Sequence, residues 1–154
     1  MTVLVIPRTL LDHTRTVLRQ RSAGWRESAG VWLGRADGAV CDAVFHHELA
    51  DDRATALSLE LPESAKIKLY QRAAAAGYRL LALLHTHPDS WVDLSPIDQR
   101  NQLSSRIGFW SIVLPHYGQG PWHLGAVGFH VRHDRGWSRL APTTVAERLM
   151  VEER

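Results

Sequence analysis

Hydrophobic positions near the N-terminus change from a strand pattern to a helix pattern. The apolar segment TVLVIP predicts a short strand at the start of the chain. Leu10, Leu11, Thr14, Val17 and Leu18 then recur at helical spacing, and Gly24 marks the end of the predicted helix. This region therefore predicts one short strand followed by one amphipathic helix.

Two apolar, β-branched runs follow this helix. The segments GVWLGR and AVCDAVFHH are joined by ADG, whose Asp-Gly pair is a turn signal, so they predict a β-hairpin. Cys41 lies within the second run and is predicted to be a small core residue. His46 and His47 are predicted to lie on the surface where that strand ends, and ATALSLEL is a further strand candidate.

The second half of the chain alternates helix and strand patterns. Pro62 opens a predicted helix that stops at Gly77, with an apolar stripe of Ile67, Tyr70, Ala73 and Ala74. YRLLALLH and GFWSIVLP are nearly continuous apolar runs, typical of strands buried on both faces. A helix is predicted between them, from Pro96 to about Arg106. WHLGAVGFHVRH and GWSRL predict a last pair of strands around DRG, and TTVAERLMVEER predicts a short helix.

These elements predict an α/β (α+β) fold with a mixed, mostly antiparallel sheet flanked by helices. The 154 residues are the size of one domain, so we expect a single domain over residues 1–154. A chain of this length buries roughly 68–70% of its unfolded surface. With 45% hydrophobic and 22% charged residues, a packed core is expected without disulfides.

Charge and composition argue against several classes of protein. The net charge is +2, and the arginines are scattered among acidic residues, so we predict a solvated surface and no nucleic-acid partner. No apolar run approaches the roughly 18 residues of a membrane span. Cys41 is the single cysteine, which excludes an internal disulfide and fits a reducing compartment. We therefore predict a cytoplasmic protein without membrane association.

The segment LLHTHPDSWVDLSPID contains a possible metal site. His85 and His87 lie two residues apart at the end of a predicted strand, so their imidazoles face the same side. Asp98 falls in the first turn of the next predicted helix. Two imidazoles and one carboxylate form a three-ligand set for Zn²⁺ that leaves a fourth position open for water.

The same segment also fits an ordinary helix start. Ser95 is a good N-cap, Pro96 suits the first helical position, and Asp98 at the third position favours the positive end of the helix dipole. His-x-His pairs also arise by chance in a chain with nine histidines. The segment alone leaves both interpretations open, and they are compatible because a capped helix start fixes where Asp98 points.

A second segment, far upstream, favours the metal site. HTHP, DSWVDL and SPID together resemble the JAMM motif of JAB/MPN metalloproteases, which is His-Ser/Thr-His, seven residues, Ser, two residues and Asp. The family also places a glutamate before a Gly-x-Leu-x-Gly-like strand, and ESAGVWLG, which begins at Glu27, is similar to that segment. The resemblance extends over most of the chain and implies a JAB/MPN-like domain with cytidine-deaminase-like layering.

The resemblance implies a role for each matching residue. His85, His87 and Asp98 would ligate one Zn²⁺ per chain, which carries a catalytic water. Glu27 would lie beside that water as the base, and Ser95 would stabilise the tetrahedral intermediate. Glu48 and Glu60 are weaker candidates for the base because neither precedes a Gly-x-Leu-x-Gly-like strand. Trp91, between the ligands, either lines the entrance to the site or anchors its loop.

The function implied by the resemblance is that of a zinc-dependent isopeptidase or peptidase of deubiquitinase type. Its substrate would be the amide bond after the C-terminus of a ubiquitin-like protein, in a conjugate or a precursor. Similar short bacterial proteins are encoded beside E1- and E2-like enzymes, including in antiphage operons. Two alternatives stay open: a peptidase that releases an amino acid from a sulfur-carrier protein, and a non-catalytic MPN scaffold that binds partners.

Overall fold

The computed structural model describes residues 3–50 and 61–154. In these ranges the strands are β1 Leu4–Pro7, β2 Ala29–Gly34, β3 Val40–Phe45, β4 Arg79–Thr86, β5 Trp110–Leu114, β6 Gly128–His133, β7 Gly136–Arg139 and β8 Leu149–Glu152. The helices are α1 Arg8–Ser22, α2 His46–Leu49, α3 Glu63–Ala76, α4 Pro96–Arg100 and α5 Pro142–Arg148, and a left-handed turn lies at His116–Gly118.

Six of the strands form one sheet in the order β3-β2-β4-β5-β6-β7. Neighbouring strands run antiparallel except for β4 and β5, which are parallel. The remaining two strands, β1 and β8, form a separate parallel pair. The predicted α/β fold with a mixed, mostly antiparallel sheet is therefore confirmed.

The large sheet has a hydrophobic cluster on each face. On one face, Leu18 of α1 packs with Trp32, Leu84 and Trp110 and with residues of the β1–β8 pair. On the other face, Leu69 of α3 packs with Val31, Leu33 and Phe109. The central strand β4 contributes to both clusters, which confirms the prediction of a strand buried on both faces.

Side chains alternate along β4, and this alternation decides where its last residues point. Thr86 faces α1, because its hydroxyl lies 3.1 Å from that of Ser22. His85 and His87 therefore point to the opposite face of the sheet, where α3 packs. The strand ends immediately before His87, so both imidazoles lie at the carboxyl end of β4, beyond the apolar core.

Several sequence predictions about element boundaries were wrong. α4 ends at Arg100 and does not reach Arg106, because Leu103 turns into the core beneath α3 and is only 6% exposed. The C-terminal segment forms α5 and also a strand, β8, that pairs with β1. A pairing with the opposite end of the chain leaves no local signal in a four-residue run.

Predictions about burial also needed correction. Cys41 is exposed on β3, which is an edge strand of the large sheet. His46 is buried at the start of α2, where a surface strand end was expected. On α3 the buried residues are Ala65, Leu69 and Ala73, while Ile67 and Tyr70 are exposed. The predicted strand ATALSLEL falls almost entirely on residues 51–60, outside the described residues.

Among the helices of residues 3–50 and 61–154, none combines the length and apolar character that crossing a bilayer requires.

We expect Gly34→Ala to lower the free energy of unfolding by about 1–3 kcal/mol, because the new methyl group has no space. A β-carbon there would overlap the carbonyl oxygen of Ala39 and crowd Leu81. Gly120 is a matched control, since a β-carbon added there meets no neighbouring atom within 4 Å. Chemical denaturation should show Gly120→Ala within about 0.5 kcal/mol of wild type. Equal stability of the two variants would contradict the close packing of β2 against β3.

Candidate metal centre

Three side chains converge beyond the end of β4. The Nε2 atoms of His85 and His87 lie 3.1 Å apart. Asp98, in the first turn of α4, brings Oδ2 to 3.2 Å from Nε2 of His87 and Oδ1 to 3.5 Å from Nε2 of His85. Both histidines are buried, and one ligand atom from each of the three residues lies within 4.8 Å of the others. Within the described ranges, this is the one group of three such residues close enough to hold a metal ion.

The hydrogen bond made by His87 is the kind that orients a metal-binding imidazole. Nδ1 of His87 lies 2.8 Å from the carbonyl oxygen of Trp91, so this nitrogen carries the hydrogen and leaves the Nε2 lone pair facing Asp98. Nδ1 of His85 is buried without a hydrogen-bond partner among the described residues. Two imidazoles and a carboxylate are also a donor set that zinc prefers.

Asp98 is oriented by the start of its own helix. The hydroxyl of Ser95 accepts a hydrogen bond from the Asp98 N–H at 3.0 Å, and the Ser95 N–H donates to Oδ2 of Asp98 at 2.9 Å. This reciprocal capping box turns the carboxylate back toward the histidines. Burial alone would raise the pKa of Asp98. Interactions with the imidazoles of His85 and His87, together with the hydrogen bond from the Ser95 amide, outweigh burial and hold the pKa of Asp98 well below its usual range.

His87 is held by a network of backbone contacts from two loops. Its N–H donates to the carbonyl of Leu114, and its carbonyl accepts from the Tyr117 N–H, both at 2.8 Å. Asp89 ties the two loops together, since its carboxylate accepts from the Trp91 N–H and its carbonyl accepts from the His116 N–H, both at 2.9 Å. The carbonyl of Trp91, which selects the His87 tautomer, is thereby fixed in place.

Glu27 approaches the centre through strand pairing. Ala29 pairs with His85, and the Thr86 N–H donates to the Ser28 carbonyl at 3.0 Å, so the next step of the register places Glu27 opposite His87. Glu27 is only 8% exposed. Burial raises the pKa of Glu27 to about 7, with a lowering contribution from His87 and a raising one from Asp98. A carboxyl group in this position can exchange a proton near neutral pH.

A buried hydroxyl cluster beneath the centre was not predicted from the sequence. The Ser28 hydroxyl donates to the Leu18 carbonyl of α1 at 2.9 Å and lies 2.7 Å from the Ser22 hydroxyl. The Thr86 hydroxyl accepts from the Ser28 N–H at 2.9 Å. These contacts fix Ser28, which follows Glu27, and Thr86, which precedes His87. Small hydroxyl residues scattered over sixty positions carry no periodic signal, so sequence patterns do not reveal them.

The other candidates from the sequence lie outside this convergence. Trp91 is 49% exposed, and its ring stacks on His87 with 5.4 Å between ring centroids, so it borders the centre and is not buried as an anchor. Glu48 accepts from the Phe45 N–H at 2.8 Å, which makes it part of the start of α2. Glu60 lies outside the described residues.

Comparison with known proteins identifies the fold. Neither a protein-family model nor a curated protein sequence matches the chain. A JAB1/MPN domain protein from Archaeoglobus fulgidus superposes with a TM-score of 0.53 at 17% identity, over 97% of this chain and 100% of that one. A protein from Desulfitobacterium hafniense superposes with a TM-score of 0.60 at 15% identity, over 98% and 94% of the two chains. A Salinibacter ruber protein gives 0.56 at 17% identity, over 91% and 88%. The chain thus has a JAB1/MPN-like fold.

We expect the purified protein to bind one Zn²⁺ per chain. Asp98→Ala should weaken that binding by about 100-fold or more, since loss of a direct ligand costs more than loss of a group that only hydrogen-bonds to a ligand. Competition with a chromophoric chelator measures the affinity. Asp93→Ala is a matched control in the same loop, because the Asp93 carboxylate pairs with Arg139 at 3.0 Å. Equal zinc affinity of Asp98→Ala and wild type would remove Asp98 from the ligand set.

We expect Asp89→Ala to weaken zinc binding by roughly tenfold without removing a ligand, because the Trp91 carbonyl would no longer be held against His87. The indole N–H resonance of Trp91 in an NMR spectrum should broaden or shift in the same variant. Wild-type zinc affinity together with an unchanged Trp91 resonance would show that the loop is fixed without Asp89.

Proposed function

We propose that this chain is a zinc-dependent isopeptidase or peptidase that hydrolyses the amide bond after the C-terminus of a ubiquitin-like protein. The observation that carries the proposal is the convergence of His85, His87 and Asp98 beside the buried carboxyl group of Glu27. The JAB1/MPN-like fold and the match to the JAMM motif at every spacing support the same conclusion. His85, His87 and Asp98 would hold the zinc ion.

The chemistry divides between the metal and the residues around it. Bound zinc acts as a Lewis acid that polarises the scissile carbonyl and lowers the pKa of water to about 7. Glu27 accepts the proton that the attacking water loses and transfers it to the leaving nitrogen, so the products are a carboxylic acid and a free amine. The burial of Glu27 keeps bulk water from competing for that proton.

Ser95 has the second catalytic role in the proposal. Its hydroxyl oxygen already accepts from the Asp98 N–H, so the hydroxyl hydrogen points away from that bond and can donate to a developing oxyanion. The same residue therefore starts α4, orients a metal ligand and stabilises negative charge. No covalent acyl intermediate is required, because the attacking group is water.

Exposed apolar side chains near the centre favour a protein substrate. Trp25, two residues before Glu27, is 60% exposed, and Ile97, next to Asp98, is 52% exposed. Trp91 stacks on a histidine of the centre and is half exposed. Large exposed apolar groups around a reactive centre are typical of surfaces that bind another protein. A small soluble metabolite would not require such a surface.

The proposed partners follow from this substrate. A ubiquitin-like protein is the first, as a conjugate or as a precursor with a C-terminal extension. E1- and E2-like enzymes encoded beside this gene would supply the conjugate, in a cytoplasmic pathway that includes antiphage defence. An extended C-terminal tail suits this arrangement, since it can enter a narrow centre that a folded surface cannot reach.

We expect Glu27→Gln to retain zinc and to lose cleavage by at least about 100-fold, since general acid–base catalysis contributes about 10²–10⁴ in rate. The amide has nearly the same shape but cannot accept the proton. Zinc content by metal analysis and the cleavage rate of a ubiquitin-like precursor are measured on the same sample. Glu48→Gln is the matched control and should cleave at the wild-type rate. Full activity of Glu27→Gln would mean that another group is the base.

The substrate class is tested with ubiquitin-like proteins encoded near this gene, each prepared with a C-terminal extension and as a lysine-linked conjugate. We expect mass spectrometry to show cleavage directly after the terminal residue of the ubiquitin-like protein. Treatment with a chelator should abolish that cleavage, and zinc should restore it. A protein that binds zinc but cleaves neither substrate would instead be a non-catalytic scaffold.

A further inference from the structure

A groove lies beside the candidate metal centre, along Trp91. Its walls include Ser90 and Trp91 from the loop after β4, Pro115 and His116 from the turn after β5, and His123 and Arg139 from the next loop and β7. Its volume is about 410 Å³, enough for one or two amino-acid side chains. Since Trp91 both stacks on His87 and lines this Trp91 groove, the groove and the metal centre share one wall.

Three polar side chains in the walls can donate hydrogen bonds to a carboxylate. His116 and His123 each offer an imidazole N–H, and Arg139 offers a guanidinium group. Arg139 donates one of its five N–H groups to Asp93 at 3.0 Å, which orients the guanidinium and leaves other donors available. Among the described residues that line the groove, none carries a carboxylate, and Asp89, nearby, directs its own carboxylate to the Trp91 N–H. The groove is therefore complementary to a carboxylate.

The backbone at His116 is held in an unfavourable conformation. His116 and Tyr117 have φ angles of 53° and 55°, and Gly118 follows with 74°, so three consecutive residues lie in the left-handed region. That region disfavours side chains other than those of Gly, Asn and Asp. A glycine would make the same turn at lower cost. Strain of this kind concentrates at functional sites, and here it directs the chain so that His116 lines the groove.

We propose that the Trp91 groove binds an acidic side chain of the substrate protein, close to the scissile amide. The carboxylate accepts hydrogen bonds from His116, His123 and Arg139, while the aliphatic part of the side chain contacts Trp91. The geometry of the groove supports carboxylate binding by itself. The description of the bound group as part of a substrate rests on the proposed function. Neutral or basic side chains at the corresponding position bind less well, so the groove selects among substrates.

Binding is tested with two acetylated and amidated peptides, Gly-Glu-Gly-Glu-Gly and Gly-Gln-Gly-Gln-Gly. They are titrated into the whole zinc-loaded chain while NMR follows the Trp91 indole N–H and the imidazole signals of His116 and His123. The titration is repeated after zinc removal, because carboxylates also bind zinc directly. We expect saturable shifts of these three residues in both states, with the glutamate peptide binding about fivefold more tightly than the glutamine peptide.

Substitutions in the walls test whether the donor side chains recognise the carboxylate. The double variant His116→Gly and His123→Ala should bring the two peptides to within about twofold of each other, and glycine at position 116 suits the positive φ, so the fold should persist. Arg139→Gln should reduce the preference for the glutamate peptide by at least half. Arg35→Gln is the control, since Arg35 is also an exposed arginine paired with an aspartate, Asp37 at 3.5 Å, and it lies in the β2–β3 turn at the other end of the sheet.

Three results would overturn the inference: equal binding of the two peptides, shifts confined to His85 and His87, or a preference that the double variant retains. Because none of these measurements requires cleavage, an inactive protein that still prefers the glutamate peptide would refute the proposed hydrolysis and not the groove. An active protein without that preference would refute the groove alone.

Discussion

The antiparallel pairing of β2 with β4 is the contact on which the candidate centre depends. It sets Ala29 opposite His85, and two more steps along the same register set Glu27 opposite His87. A shift by one residue would turn both histidines to the α1 face, because side chains alternate along a strand. The buried hydroxyls of Ser22, Ser28 and Thr86 make that shift unfavourable, since each would lose partners that buried polar groups require.

Asp98 shows how one carboxylate serves two structural purposes. Its Oδ2 accepts from the Ser95 N–H and also faces His87, while Oδ1 faces His85. A helix of five residues contributes little stability of its own. Gln102 supplies an additional tie, because its side-chain amide donates to the Asp98 carbonyl at 3.0 Å and to the Ser111 hydroxyl of β5 at 3.2 Å. The short helix is therefore fixed at both ends by side chains.

Local patterns in the sequence predicted the strands of the large sheet, whereas the preference for a metal site over an ordinary helix start also required the family resemblance. Apolar runs identify β4 and β5, and the spacing from His85 to Asp98 is short enough for one strand and one loop to explain the convergence. The untested expectations, among them the catalytic roles of Glu27 and Ser95, stay predictions. Features formed between distant segments were not predictable: the β1–β8 pair, the hydroxyl cluster and the turn at His116. Each depends on a partner more than fifty positions away or on a backbone conformation that its residue type disfavours.

The topology explains why the candidate metal centre and the Trp91 groove lie at the same end of the sheet, where β4 and β5 finish. In the six-stranded sheet of the described residues, β4 and β5 are the one parallel pair, so their carboxyl ends emerge side by side. The chain after β4 carries His87 and Trp91, and the chain after β5 carries His116 and Tyr117. Antiparallel neighbours would place these two loops at opposite ends of the sheet. Parallel pairing instead allows the Leu114 carbonyl to accept from His87 and the His87 carbonyl to accept from Tyr117, which holds the two loops together beside the candidate metal centre.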